Sequence, residues 1–371
     1  MPASHSLGML TRIQQGGLDL VSFSRRQYQT HYITARPSRA ADPLAVFTEL
    51  ADVVRAHGAS IASQTVFGDQ SLADSGLAAL QNTFGDITWP VTWLNSSSQR
   101  LGTQVSALSG IDVTQVKAGG RVVGSAFEDD HARYCFLGNL ASPDVSGARA
   151  KQVSDTFRSM DAILGKMGMG FEHVLRTWLY IDSILDWYGE LNSARTRFFE
   201  EHNIFEHMMP ASTGIGVSNL AGRAVVAECI AMQPKSPAVR VHEVESPLQC
   251  KASDYKSSFS RAVEVVTPDH RRLYVSGTAS IGADGTTVHS GDVEAQIART
   301  MEVVHAILLS KNMDWDNVTR GVAYFRDIAD IPTFVAYCEN HAIPRGVLLE
   351  TPAVVCRDDL LFELEANGIA L

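Results

Sequence analysis

Near the end of the chain, Glu363 stands between Phe362 and Leu364 and shortly after Leu360 and Leu361. A carboxyl enclosed by apolar side chains loses the water that stabilises its charge. It keeps its proton near neutral pH and can serve as a general acid. Glu365 lies two residues on, on the same strand face, where like-charge repulsion would raise that pKa further. The competing reading puts both glutamates on the solvent face of an alternating strand. Arginines bind carboxylates through two parallel hydrogen bonds, and three of them are placed to do so. Arg195 follows Tyr188 on a helix. Arg176 and Arg320 open equivalent strands, where each either faces a cleft or pairs with nearby Asp182 or Asp327. The run Thr213-Gly214-Ile215-Gly216 either offers backbone N–H groups to a carboxylate or packs as a glycine-rich strand. His202 and His207 do not align on one helix face, and the sequence has no HExxH, Walker loop or GxGxxG. No metal and no cofactor are expected.

What must position these residues is a repeat. Three segments read helix, glycine-containing or Asn turn, then a strand: Leu44–Ala56 with Gln64–Phe67, Val153–Met167 with Arg176–Ile181, and Val293–Leu309 with Arg320–Phe325. A second helix follows each, then an extended segment opening on Pro90-Val91, Pro210-Ala211 or Pro352-Ala353. Val153, Phe157, Met160, Leu164 and Met167 form one helical stripe, as do Val293, Ile297, Met301, Val304 and Leu308. Gly291-Asp292 supplies an N-cap. Strands are expected at Tyr134–Leu137, Val174–Ile181, Ala224–Ile230, Leu273–Val275, Val318–Phe325 and Leu360–Leu364. Turns at 219–222 and 357–359 are expected to fold the last strand pair of repeats two and three into hairpins. Gln233–Pro247, with its three prolines, reads as a linker, and Ser96-Ser97-Ser98 as a further boundary.

The fold expected is α+β, with helices on one face of each mixed sheet. The uncovered sheet faces would bury one another about a pseudo-threefold axis, giving a single-chain pseudotrimer with clefts between units. The units are placed at 1–125, 126–238 and 239–371. In solution this would be a monomer or a weak homo-oligomer.

The 371 residues carry a net charge of -10, so there is no basic field to hold nucleic acid. Five cysteines without a CxxC pair suit a reducing compartment, and no apolar run is long enough to span a membrane. With no apolar stretch near the N-terminus, a cytoplasmic location is expected.

The third repeat, through Leu273–Gly277, Ser290–Gln296 and Phe362–Ala366, resembles the YjgF/RidA family of small trimeric imine deaminases. The arginine that family places after its Pro-Ala step is replaced by Ser212 and Val354, which argues against deaminase chemistry. Residues 171–371 are more similar to the chorismatases, built on the same repeat. The likeness runs through Arg176-Thr177-Trp178, Tyr188, Arg195, Pro210–Gly216, Phe259–Ala262, Ser276–Ala279, His289–Val293 and Cys356–Glu363. That resemblance implies removal of pyruvate from chorismate, with Glu363 as the catalytic acid. It also implies that Cys356 and Gly277 match the pair that marks the 3-hydroxybenzoate-forming subgroup.

Chorismate is an enol ether with two carboxylates. Cleavage begins when an acid protonates the enolpyruvyl methylene carbon, and two carboxylates call for arginines. Cys356 would sit across a hairpin from Glu363, as a thiol acting on the ring or as ordinary core. Gly277 would give the ring room, or merely mark strand curvature. The partner expected is a small-molecule carboxylate. The alternatives are an enzyme of the same fold acting on another enol ether or imine, and a non-catalytic small-molecule-binding pseudotrimer.

Overall fold

The computed structural model describes residues 8–38, 41–96, 100–255 and 257–371. Ser97 and Ser98 of the expected boundary lie outside the described residues.

Each long helix forms where an apolar stripe recurs at helical spacing, and the stripe is what each buries. Arg149–Lys166 sinks Val153, Phe157, Met160 and Leu164 against its sheet. Val293–Leu309 sinks Ile297, Met301, Val304 and Leu308, and the Asp292 side chain caps it by accepting from the Ala295 N–H at 3.0 Å. Ala45–Ala56 does the same with Val46, Phe47, Leu50 and Val54.

Three mixed sheets result, ordered in sequence and each carrying its helices on one face. The first runs Leu10–Gln15, Leu18–Ser24, Gln29–Ala35, Gly102–Ser109, Ser60–Gly68 and Val91–Asn95, and takes Ser218–Asn219 from the second repeat as its last strand. The second runs Ala211–Gly216, Val174–Ile181, Val225–Pro234, Ala132–Leu140, Arg121–Glu128 and Thr114–Ala118. The third runs Arg240–Val244, Ala262–Val266, Arg271–Ala279, Phe362–Ala370, Val318–Phe325 and Leu348–Pro352. Every residue of Val174–Ile181 and of Val318–Phe325 is buried, because helices cover one face and neighbouring sheets the other.

The strand registers place Phe67, Tyr180 and Tyr324 at one equivalent position, opposite Gly102, Val226 and Glu363 respectively. The Phe67 ring lies 6.3 Å from each of the two tyrosine rings, in edge-on contact. These aromatics mark the pseudo-threefold axis, and one apolar cluster drawn from all three sheets surrounds them. The single-chain pseudotrimer is therefore what forms.

Several local expectations are corrected. The last strands of repeats two and three are not hairpins. Val174–Ile181 lies between Ala211–Gly216 and Val225–Pro234, and Val318–Phe325 likewise separates Leu348–Pro352 from Phe362–Ala370. The edge strand runs parallel to its neighbour, so the chain must cross over before returning antiparallel. Pro352 closes a strand and does not open one, pairing with Phe325 at its far end. The expected linker holds a paired strand, Arg240–Val244, and begins inside Val225–Pro234. Sheet two starts at Thr114, and a division at 125 would cut Arg121–Glu128, which pairs with Ala132–Leu140. Among the described residues no helix is long and apolar enough to cross a membrane.

Candidate active site

The third repeat contributes the acid. Arg271–Ala279 pairs with Phe362–Ala370 except at a register shift between Val275 and Thr278, which bulges Ser276 and Gly277 out of the ladder. The freed groups bond across the repeat boundary. The Ser212 N–H donates to Ser276 Oγ at 2.8 Å, and the Gly277 N–H to Thr213 Oγ1 at 3.0 Å. Glu363 lies beneath this bulge, on the strand flanked by Phe362 and Leu364. It is 5% exposed, so the solvent-face reading fails. Burial pushes its carboxyl up to about 8, and the negative charge of Glu365 adds to the effect. Arg176 and Arg261 oppose it.

Glu363 opens onto a cavity of about 190 Å³ between repeats two and three. On the second repeat's side, Tyr188, Asn192 and Arg195 line one face of the Ile184–Glu201 helix. Arg195 Nη2 donates to Asn192 Oδ1 at 2.6 Å, which holds the buried guanidinium in place. Two guanidiniums lie close to the Phe259 ring: Arg195 Cζ is 5.6 Å and Arg261 Cζ 5.8 Å from its centre. Arg261 Nε is anchored on the Cys250 carbonyl at 2.9 Å, and Arg357 Nη1 on the Gly285 carbonyl at 2.9 Å. Both arginines also line the cavity. One protonated carboxyl and three guanidiniums therefore converge on a small enclosed space, an arrangement suited to a compact dianion.

Of the residues expected from sequence, the cavity gathers Glu363, Cys356, Arg195, Gly277, Gly214 and Tyr188. Cys356 reaches it from the segment after Leu348–Pro352 and not from a hairpin strand. Burial pushes its thiol up to about 12, and it shares a hydrogen bond with Tyr188, so it is a neutral thiol at physiological pH. Thr213 sits one layer below, bonded to the Gly277 N–H. Arg176 and Arg320 are not brought to the cavity. Both guanidiniums lie over the Trp178 ring, at 4.7 and 5.3 Å, and Arg176 pairs with Glu365 at 2.8 Å. Neither pairs with the aspartate expected for it.

Sequence reasoning gave no role to Arg261, Arg357, Asn192 or Phe259. The Phe259-Ser260-Arg261-Ala262 run was part of the family likeness, and that was its one available signal. Asn192 follows Tyr188 by four residues and precedes Arg195 by three, a helical spacing that marks a shared face.

Comparison with known proteins places these observations. The Endoribonuclease L-PSP family model matches residues 125–233 and 251–366. A chorismatase of Streptomyces rapamycinicus is 27% identical over 255 residues, covering 62% of this chain and 73% of that protein. A 3-hydroxybenzoate synthase of Streptomyces hygroscopicus is 25% identical over 226 residues, covering 53% of this chain and 63% of that one. A chorismatase crystal structure shares the fold with a TM-score of 0.61 at 19% identity, over 83% of this chain and 93% of that one.

Proposed function

The chain belongs to the Endoribonuclease L-PSP family, and from that premise we propose that it is a chorismate-converting enzyme releasing pyruvate and 3-hydroxybenzoate. The observation that carries this reading is the buried Glu363 carboxyl, protonated at neutral pH, facing a cavity walled by Arg195, Arg261 and Arg357. Chorismatase and 3-hydroxybenzoate synthase relatives support the substrate and the product.

Glu363 delivers its proton to the enolpyruvyl methylene carbon. The double-bond electrons form the new C–H bond, and the ether carbon becomes an oxocarbenium ion. Guanidiniums fix the two carboxylates and so hold the methylene over the acid. The ring hydroxyl adds to the cation as its proton leaves. That oxygen's bond to the ring then breaks, and the ring loses a proton and becomes aromatic. The former ether oxygen departs as the phenol, while pyruvate keeps the hydroxyl oxygen as its ketone. Chorismate divides into pyruvate and 3-hydroxybenzoate with no atoms gained or lost, so that outcome consumes no net water. A dihydrodiol product would require one.

The neutral Cys356 thiol and Gly277, whose missing Cβ lets the Glu363 carboxyl sit against its backbone, lie beside the acid and support the aromatic product. In this reading the thiol acts on the ring, whereas the carboxyl acts on the side chain.

The test is to incubate purified protein with chorismate, follow pyruvate, and identify the aromatic product by chromatography, with Glu363→Gln in parallel. Pyruvate with 3-hydroxybenzoate, lost in the variant, is the expected result. A dihydrodiol would retain the acid and reject the role of the thiol. No turnover would overturn the reading.

A further inference from the structure

We propose that Glu365 is a positioning residue for Glu363: gripped by side chains of the neighbouring repeat, it fixes where the acid sits and keeps its proton on it. The proposal rests on reading Glu363 as the acid of the reaction above.

Glu365 is 3% exposed and accepts from three donors of repeat two. Arg176 Nη2 donates to Oε2 at 2.8 Å, Trp178 Nε1 to both oxygens at 2.8 Å, and Thr213 Oγ1 to Oε2 at 2.5 Å. All three donors come from one repeat, and one of them is the fully buried Arg176 guanidinium. The Thr213 oxygen in turn accepts the Gly277 N–H at 3.0 Å, so its own proton is committed to Glu365. A continuous chain therefore runs from Arg176 through Glu365 and Thr213 to the backbone that roofs Glu363. Residues 363 and 365 share one strand face, which brings the fixed negative charge to bear on the acid.

A purely structural role has to be separated from this one. Gln104 and Glu228 occupy the register positions equivalent to Glu365, opposite Thr65 and Trp178 as Glu365 is opposite Val322. Each also clasps the neighbouring repeat: Gln104 Nε2 donates to the Gly321 carbonyl at 2.8 Å, and Glu228 accepts from Thr65 Oγ1 at 3.0 Å. Two residues earlier, however, they have Gly102 and Val226, where the third repeat has Glu363. The clasp is common to three interfaces, and its coupling to an acid belongs to one.

Other ionisable groups also face Glu363. Tyr324 comes from Val318–Phe325, and Arg261 precedes Ala262–Val266. Cys356 and Arg357 follow Leu348–Pro352, while Tyr188 and Arg195 belong to Ile184–Glu201. All of these are unchanged in the two variants that decide the matter.

The experiment titrates the carbonyl band of the protonated Glu363 carboxyl by infrared difference spectroscopy, the band being assigned by its loss in Glu363→Gln. Glu365→Gln removes a negative neighbour and should lower the midpoint by about one pH unit or more. Arg176→Gln removes a positive one and should raise it. Glu365→Asp should restore the wild-type midpoint. The basic limb of kcat/KM for pyruvate release should follow the same shifts, with KM little changed. A folded Glu365→Gln protein with an unmoved midpoint overturns the proposal, as do shifts of the same sign in both variants. Should Glu365→Gln fail to fold, Arg176→Gln decides alone, an unmoved or lowered midpoint rejecting the idea. If the band shifts as expected but wild-type protein releases no pyruvate, the coupling stands and the proposed reaction falls.

Discussion

Gly277 and Glu363 approach so closely that a Cβ on residue 277 would lie 2.1 Å from Glu363 Oε1 and 3.2 Å from a Thr213 methyl. No L side chain fits without moving the acid. Glycine is required there by proximity, since its backbone does not occupy the left-handed region.

Gly277→Ala should therefore displace the carboxyl, with its effect on turnover and little on substrate affinity. An ångström of misplacement costs on the order of 100-fold in rate, and a 10- to 100-fold fall in kcat is expected. Overpacking should cost about 1–3 kcal/mol of stability. Steady-state kinetics with a urea melt will check both. An unchanged kcat would mean that Glu363 can retreat without penalty.

The raised Glu363 pKa gives two pH signatures. Activity needs the protonated acid, so kcat/KM should fall as pH rises through about 8. For stability, the folded carboxyl binds a proton that the unfolded chain has released, between the ordinary value of 4.5 and about 8. Stability from this group is thus fully present below 4.5 and is lost as pH rises toward 8, by about 1.4 kcal/mol per unit. Glu363→Gln should be inactive yet gain on wild type in thermal melts as pH goes from 5 to 8.

How much of this was legible in the chain depends on the range of the interaction. Val174–Ile181 and Val318–Phe325 could be read because apolar, β-branched and aromatic residues dominate both, as in strands buried on two faces, even with Arg176 and Arg320 inside them. The helices could be read because Val153, Phe157, Met160 and Leu164 repeat at helical spacing. The crossover that ruled out the hairpins could not be, since which strand lies between two others is decided by pairing across the sheet. Arg176 was expected either to face a cleft or to pair with Asp182. Its actual partner, Glu365, is 189 residues away, and nothing local in either segment announces the other. Glu363 was visible through its apolar flanks and its family likeness. Arg261 had only the family likeness to mark it, because its position beside Phe259 and Arg195 exists only once two repeats meet.

Cys356 should discriminate between products and leave pyruvate release intact. At a pKa of about 12 the thiol is protonated at pH 8, so alkylation by iodoacetamide should be slow in the folded protein. Cys356→Ala should still release pyruvate, within about tenfold of the wild-type rate as an order-of-magnitude expectation for a group that does not deliver the proton to carbon. Its aromatic product should change. Chromatography that found 3-hydroxybenzoate undiminished would remove the thiol from the mechanism.

Arg195 and Arg261 should act through binding. A hydrogen bond to a charged group contributes about 1.5–3 kcal/mol, so Arg195→Gln or Arg261→Gln should each raise KM for chorismate on the order of 10- to 100-fold. Because both guanidiniums contact the one Phe259 ring, the double variant should not be additive. Initial-rate measurements on the set will decide, and equal KM values would place the carboxylates elsewhere.

The far end of the repeats carries a pH sensitivity of its own. Arg25 of the first repeat holds Asp129 of the second at 2.6 Å and Asp269 of the third at 3.2 Å, tying three hairpins together. His270 lies fully buried in this junction, its Nδ1 2.8 Å from Asp269 Oδ1 and its Nε2 3.0 Å from Arg272 Nε. Burial is the larger cause and takes the imidazole down to about 4, Asp269 opposing it and the arginines assisting. The folded ring is therefore neutral where the unfolded one, near 6.5, already binds a proton. Between those values the unfolded state carries the extra proton, so stability is complete above about 6.5 and is lost as pH falls toward 4. His31, buried against His57 and also taken to about 4, adds in the same direction. Thermal melts from pH 7 to 4 should show Tm falling steeply through this window. His270→Gln should flatten part of the slope without altering the pH dependence of pyruvate release. A slope identical in wild type and variant would assign the acid sensitivity to carboxylates such as Asp129, held below its ordinary value mainly by Arg25 and two backbone N–H groups against the cost of burial.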